Sequence, residues 1–360
     1  MSTKQQKIDH FDPSQPGLAD ATIYGLPFTS EESEIVIIPV PWEVTVSYGA
    51  GASEGPEAVL EASYQVDLLH QQYPDLWKQG IYFSEAPEHW AKNSEKYKGL
   101  AQPIIDVLEQ GEDIETFPAL QSDLDTINGA CQQLNQEVEE QVMYWINKGK
   151  KVVLLGGDHS TPLGYYQALA KQHESFGILH LDAHMDLRKS YEGFTYSHAS
   201  IMYNALKINQ VEKLVQVGIR DFCEEEIGEV KQSDKISVYT DADLKEAEFE
   251  GVTWKGKCDE IIALLPQKVT ISFDIDVLLQ WYCPNTGTPV PGGLSFEQAT
   301  YLISRLAESG KEIIGIDLVE VAPGDDDWDG NVGARLLFHL CGAFAKSQGL
   351  PVGNKIKFNK

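Results

Sequence analysis

The chain has 360 residues, 42% of them hydrophobic and 10% aromatic, enough to bury one large core, and this excludes global disorder and a disulfide-stapled mini-domain. Asp and Glu number 55 against 28 Lys and Arg, a formal charge of −27. A surface that acidic repels phosphate backbones and anionic membranes, so neither a nucleic-acid nor a membrane partner is expected.

Met1 to Pro16 is polar and lacks the apolar stretch of a signal peptide. No window approaches the ~18 apolar residues of a membrane span. The five cysteines are widely spaced, with no C-x-x-C pair. They read as reduced thiols of a cytoplasmic protein. Residues 1–30 read as an N-terminal arm lying on the surface or on a neighbouring subunit, and 31–360 as a single domain.

The first strand is expected at Glu34–Val40. Further apolar, β-branched runs follow at 151–155, 176–181, 214–219, 269–273 and 313–318. Their apolar residues are continuous rather than alternating, as in strands covered on both faces, so a parallel sheet is expected. Helical patterns lie between them, the longest over Leu124 to Lys148. Strand–helix alternation of this kind means an α/β fold with a mainly parallel sheet. Residues 83–125 hold Pro87, Pro103 and Pro118 among many acids and read as an irregular, lid-like insertion.

In open parallel sheets, ligands sit outside the carboxyl ends of the strands. Three expected strands end in ionisable clusters: Gly156-Gly157-Asp158-His159-Ser160, Asp182-Ala183-His184-Met185-Asp186 and Asp274-Ile275-Asp276. If the strand continued, Asp182, His184 and Asp186 would alternate onto one side, as would Asp274 and Asp276. With His159, four carboxylates and two imidazoles would then surround one point. Four buried carboxylates without counter-charge would protonate rather than ionise. Two divalent cations remove that cost. Oxygen donors with two imidazoles and no thiolate favour Mn²⁺, with Ni²⁺, Fe²⁺ or Co²⁺ as alternatives. Six ligands suit two ions bridged by carboxylates. The plain alternative is that these are capping and turn residues.

With these motifs the sequence resembles the ureohydrolase family: arginase, agmatinase, guanidinobutyrase, guanidinase and formimidoylglutamase. The resemblance runs from about Ile35 to Ala343. Gly287-Thr288-Pro289-Val290-Pro291-Gly292-Gly293, Glu320-Val321-Ala322-Pro323 and the loop Ser47–Pro56 add to it. It implies a three-layer α/β/α fold around an eight-stranded sheet, two Mn²⁺ ions and hydrolysis of a small cationic guanidino substrate to urea and an amine. By the same resemblance, His159 and Asp186 hold the first ion and His184 and Asp276 the second, and Asp182 and Asp274 bridge them. Asp276 therefore belongs to both the metal and the catalytic set. Glu320 would hold the guanidinium, and His198 would pass protons and contact substrate. A trimer or hexamer is implied.

Other residues have plainer readings. His180 shares the parity of Asp182 but lies deeper in its strand, where packing or a supporting hydrogen bond is expected. Asp158 has the opposite parity and is read as a supporting hydrogen-bond partner. His339 falls in a helical pattern and is read as structural, and Asp325-Asp326-Asp327 as a solvated loop. Trp42, Trp281 and Trp328 are candidates for the pocket wall or for packing. Two departures bear on substrate. Leu279 and Gln280 stand where the family commonly has Asp-Pro. The segment after the Asp-Ala-His signature, Leu187 to His198, is more like agmatinases than arginases. Agmatine is therefore favoured. A guanidino acid, guanidine, arginine and formimidoylglutamate stay open, as does a non-catalytic, metal-stabilised interaction protein. Arg188 is read either as half of a structural salt bridge or as the partner of a substrate carboxylate.

Overall fold

The computed structural model describes residues 3–15 and 21–358. Helix α1 (Lys4–His10) precedes β1 (Ile35–Val40), α2 (Gly55–Ser63), β2 (Ile81–Phe83), α3 (Glu88–Glu109), α4 (Pro118–Asn147) and β3 (Lys151–Gly156). Then come α5 (Leu163–Gln172), β4 (Phe176–Leu181), α6 (Ile201–Ala205), β5 (Val211–Ile219), α7 (Glu224–Gln232) and β6 (Ile236–Thr240). The chain ends with α8 (Asp241–Phe249), α9 (Trp254–Leu264), β7 (Lys268–Asp274), α10 (Phe296–Glu308), β8 (Glu312–Val319) and α11 (Trp328–Ser347).

The eight strands form one sheet in the order β2-β1-β3-β8-β7-β4-β5-β6, and each pairing is parallel. Successive residues of each strand feed opposite cores. Ile37, Leu155 and Leu179 face a core shared with α2, α9, α10 and α11. Val36, Leu154 and Ile178 face one shared with α3, α4 and α5. Two buried faces explain why the strands read as unbroken apolar runs.

Three expectations need correction. The segment 83–125 is not irregular, because it holds β2's end, all of α3 and the start of α4. Its prolines do not interrupt it as breakers. Pro87 is the cap before α3, Pro118 occupies the first turn of α4, and only Pro103 lies inside a helix. A first-turn proline loses no hydrogen bond. Secondly, residues 21–30 are not a surface arm. Ile23, Tyr24, Leu26 and Phe28 are buried in the core. Residues 1–2 and 16–20 of the expected arm, and 359–360 at the other terminus, lie outside the described residues. Thirdly, apolar runs mark only six strands, and the two that complete the eight-stranded sheet, β2 and β6, are marked by none. Both are short edge strands whose residues are mostly half-buried, so their apolar signal is weak.

The helix α3 braces the site. Its Lys98 pairs with the fully buried Glu43. The other carboxylate oxygen of Glu43 accepts from the backbone N–H groups of Gly51 and Ser53, at 2.8 and 3.0 Å. Gly49 in the same loop lies so close to Gly287 that a Cβ there would stand 2.4 Å from its carbonyl oxygen. Two loops far apart in sequence are thereby held against each other above the strand ends.

Candidate metal centre

Strands β3, β8, β7 and β4 are consecutive in the sheet, and the three ionisable clusters follow β3, β4 and β7. The expected alternation does not hold. Strand β4 ends at Leu181, and Asp182 to Asp186 form a loop in which Asp186 has φ +54°. Asp276 lies in a 3-10 turn, Ile275–Val277. The carboxylates still converge, because backbone N–H groups aim them. Asp182 Oδ1 accepts from His184 N at 2.6 Å, Asp274 Oδ1 from Asp276 N at 2.9 Å, and Asp276 Oδ1 from Ala183 N at 2.9 Å. The carbonyl of Asp186 accepts from Met202 and Tyr203 at the start of α6, which fixes its left-handed backbone.

His159 Nδ1 lies 3.0 Å from Asp182 Oδ2, 3.1 Å from Asp186 Oδ2 and 3.2 Å from Asp274 Oδ2. It is buried and makes no hydrogen bond of good geometry. Its other nitrogen decides its state. Nε2 is 2.9 Å from Ser272 Oγ, and that hydroxyl donates to Asp317 Oδ1 at 2.7 Å. Ser272 therefore accepts from His159, Nε2 carries a proton, and Nδ1 presents a lone pair to three carboxylate oxygens. Only a cation or a proton makes that arrangement tolerable. Burial resists charging the His159 ring, but Asp182, Asp186 and Asp274 outweigh it and hold its proton well above the usual imidazole range. The donor set thus fits a metal ion at Nδ1.

A second group lies alongside. His184 Nδ1 is 3.0 Å from Asp276 Oδ2 and 3.4 Å from Asp182 Oδ1. Asp182 thus offers one oxygen to each group. His159, His180, Asp182 and Asp186 bring ligand atoms together at one point, and Asp182, His184 and Asp276 at a neighbouring one. Burial, then Asp276 and Asp182, push the Asp274 carboxyl well above the usual range. That repulsion is the cost that cations would remove.

Glu320 lies beside His159 and does not line the cavity that His184 and Asp186 line. Its Oε1 accepts from His159 N at 2.7 Å, and its backbone is held at φ +62°. Burial and Asp158 push its carboxyl well up. His198 stands with His184 and Asp186 on the wall of a cavity of about 480 Å³. Burial, with His184 and His159 nearby, lowers it to about 4, so it is neutral at pH 7. Asp158 is fully buried and caps Ser160 N at 2.9 Å. Trp42 is buried, Trp281 and Trp328 are exposed, and none of the three lines this cavity. Asp325, Asp326 and Asp327 are exposed.

The cavity wall also contains Glu109, Arg188, Tyr191 and Asp221, of which only Arg188 was singled out in the sequence. Asp221 follows the end of β5, where the strand-end rule could have found it. Glu109, the last residue of α3, carries no local signal. Arg188 makes no ion pair among the described residues, and its guanidinium lies 5.0 Å from the Tyr191 ring centre.

An Arginase family model matches residues 33–342. N(1)-aminopropylagmatine ureohydrolase of Thermus thermophilus is 30% identical over 312 residues, covering 87% of this chain and 90% of that protein. Agmatinase of Bacillus anthracis is 29% identical over 300 residues, covering 83% and 87%. The crystal structure of agmatine ureohydrolase of Thermoplasma volcanium superposes with a TM-score of 0.67 at 24% identity, covering 96% of this chain and 99% of that one. It has the same fold.

Proposed function

The chain belongs to the Arginase family, and from that membership we propose that it hydrolyses a guanidino compound, agmatine first, to urea and an amine. The observation that carries this reading is the pair of ligand groups joined at Asp182. In this reading His159 and Asp186 would hold one divalent ion and His184 and Asp276 the other, with Asp182 and Asp274 available to both. Mn²⁺ is the favoured ion because the donors are mostly carboxylate oxygens, with Ni²⁺ as the alternative. Such ions supply a water-derived nucleophile at neutral pH.

The chain's own residues do the rest. Glu320 has one oxygen engaged by His159 N, and its second is available to a guanidinium N–H. That bond orients the planar carbon. A cation arriving beside Glu320 also offsets the burial that raises its carboxyl. His198 begins neutral, and its Nδ1 has no hydrogen-bond partner among the described residues. It would therefore take up the proton that the attacking water loses before giving one to the leaving amine.

Agmatine is favoured because relatives named agmatinase and N(1)-aminopropylagmatine ureohydrolase align over most of the chain. Glu109 and Asp221 on the cavity wall suit an amine tail. One observation favours a second reading. Arg188, half-buried on that wall with no acidic partner among the described residues, suits a substrate carboxylate and hence a guanidino acid. The test is urea release by Mn²⁺- or Ni²⁺-loaded protein with agmatine, 4-guanidinobutyrate, arginine and guanidine, with ammonia or formamide detection for formimidoylglutamate. Turnover of agmatine above the others is expected. No turnover of any would overturn the proposal. A cytoplasmic trimer or hexamer is part of the same reading. No helix among the described residues is long and apolar enough to cross a membrane.

A further inference from the structure

A row of buried polar residues crosses the sheet below the candidate metal centre. Gln216 of β5 is in register with His180 of β4, His180 with Ser272 of β7, and Ser272 with Asp317 of β8. All four have 0% exposure. Buried polar groups in strands are costly without partners, and every polar side-chain atom of the row is paired except Gln216 Oε1, which has no partner among the described residues; the pairs fix the direction of each hydrogen bond.

Distance alone makes His180 a metal ligand, since it groups with His159, Asp182 and Asp186. Hydrogen bonding says otherwise. Gln216 Nε2 is 2.7 Å from the Met185 carbonyl oxygen, which only accepts, so that atom is the amide nitrogen. The same nitrogen is 2.9 Å from His180 Nδ1. Nδ1 therefore accepts, and Nε2 carries the proton of the neutral ring. Nε2 is 2.7 Å from Asp182 Oδ2. We infer that His180 is not a ligand but a positioning residue: locked by Gln216, it donates Nε2–H to Asp182 Oδ2 and fixes the carboxylate shared by the two ion sites.

His159 is held the opposite way. The two rings lie 5.2 Å apart, centre to centre. An acceptor, Ser272, stands behind His159 and turns its lone pair toward the carboxylates. A donor, Gln216, stands behind His180 and turns its N–H toward them. The residue behind each ring sets which imidazole can bind metal.

The inference rests on the metal-centre reading, and the test separates the two. Wild type, His180→Phe and His180→Gln are compared for Mn²⁺ equivalents at saturation and for dissociation constants by competition with a chelator. Wild type should bind about two equivalents. His180→Phe should still reach two, with one affinity weakened about 10- to 100-fold. His180→Gln, whose amide both accepts and donates as the neutral ring does, should restore most of the loss. A merely structural role would not follow the donor in this way. Loss of one equivalent in His180→Phe would make His180 a ligand and overturn the inference. Unchanged affinity, or no rescue by His180→Gln, would also overturn it. Absence of metal binding by wild type would overturn the parent reading along with it. If His180→Phe does not fold, Gln216→Met keeps the ring and removes its lock. It should weaken the same affinity, and wild-type affinity in that variant would overturn the inference.

Discussion

His159 Nε2 stands 2.9 Å from Ser272 Oγ, and this contact sets which ring nitrogen of His159 faces the carboxylates with a lone pair. Because Ser272 spends its own proton on Asp317, it can only accept from His159. Tyr166 OH, 2.9 Å from Asp317 Oδ2, completes the support. Ser272→Ala should leave His159 Nε2–H without an acceptor and free the ring to turn its proton inward. Metal affinity is expected to fall about 10- to 100-fold, measured by competition titration.

Asp182 offers one oxygen to each ligand group. Asp182→Asn keeps the shape and removes the charge. Metal content at saturation should fall from about two equivalents to about one or fewer, read by elemental analysis. Unchanged stoichiometry would remove Asp182 from the bridging position.

Glu320→Gln should leave metal content near wild type, because Glu320 touches the centre only through the backbone N–H of His159. The guanidinium would lose a charge-assisted partner. We expect kcat/KM for a guanidino substrate to fall about 10²-fold or more. A fall in bound metal instead would assign Glu320 to the metal site.

A pair of histidines far from the centre sets a pH dependence of stability. Gln72 N–H donates to His70 Nδ1. His339 Nε2 lies 3.0 Å from the Thr300 carbonyl oxygen and so carries a proton, leaving Nδ1 to accept from His70 Nε2, 3.4 Å away. Both rings are therefore neutral. Burial lowers His70 to about 4 and, with His70 beside it, His339 to about 3. Unfolded imidazoles titrate near 6.5. Between pH 6.5 and about 4 the unfolded chain binds more protons, so stability falls as pH falls. Thermal midpoints across that range should drop, and His70→Gln should flatten the slope. An equal slope in both proteins would refute this.

Gly157 lies so close to Trp42 that a Cβ would stand 2.1 Å from its carbonyl oxygen. Gly157→Ala should displace the turn that carries His159. Destabilisation of about 1–3 kcal/mol is expected, read from denaturant midpoints, together with weaker metal binding. Near-wild-type behaviour in both would show that the turn can yield.

Asp182, His184, Asp186, Asp274, Asp276 and His159 were legible as a set because an α/β sheet places its functional groups at strand ends, and strand ends can be read from apolar runs. The route to convergence was not legible. Strand alternation was the expected device, whereas loop backbone at Asp186 and a 3-10 turn at Asp276 do the work. Helix α3 was obscured by Pro87 before it and Pro103 within it, and with it the position of Glu109 on the cavity wall.

The sequence by itself determined the fold class, the four carboxylates and two imidazoles, and the chemistry they suit. Side-chain types and their order along the chain carry that information. Only the tertiary structure decided which histidine presents a lone pair. Gln216, His180, Ser272 and Asp317 come from four strands, and parallel pairing alone brings them into one row. Each is a polar residue within a mostly apolar run. Hydrogen-bond direction is a property of neighbours in space, and those neighbours are set by strand order rather than by sequence distance.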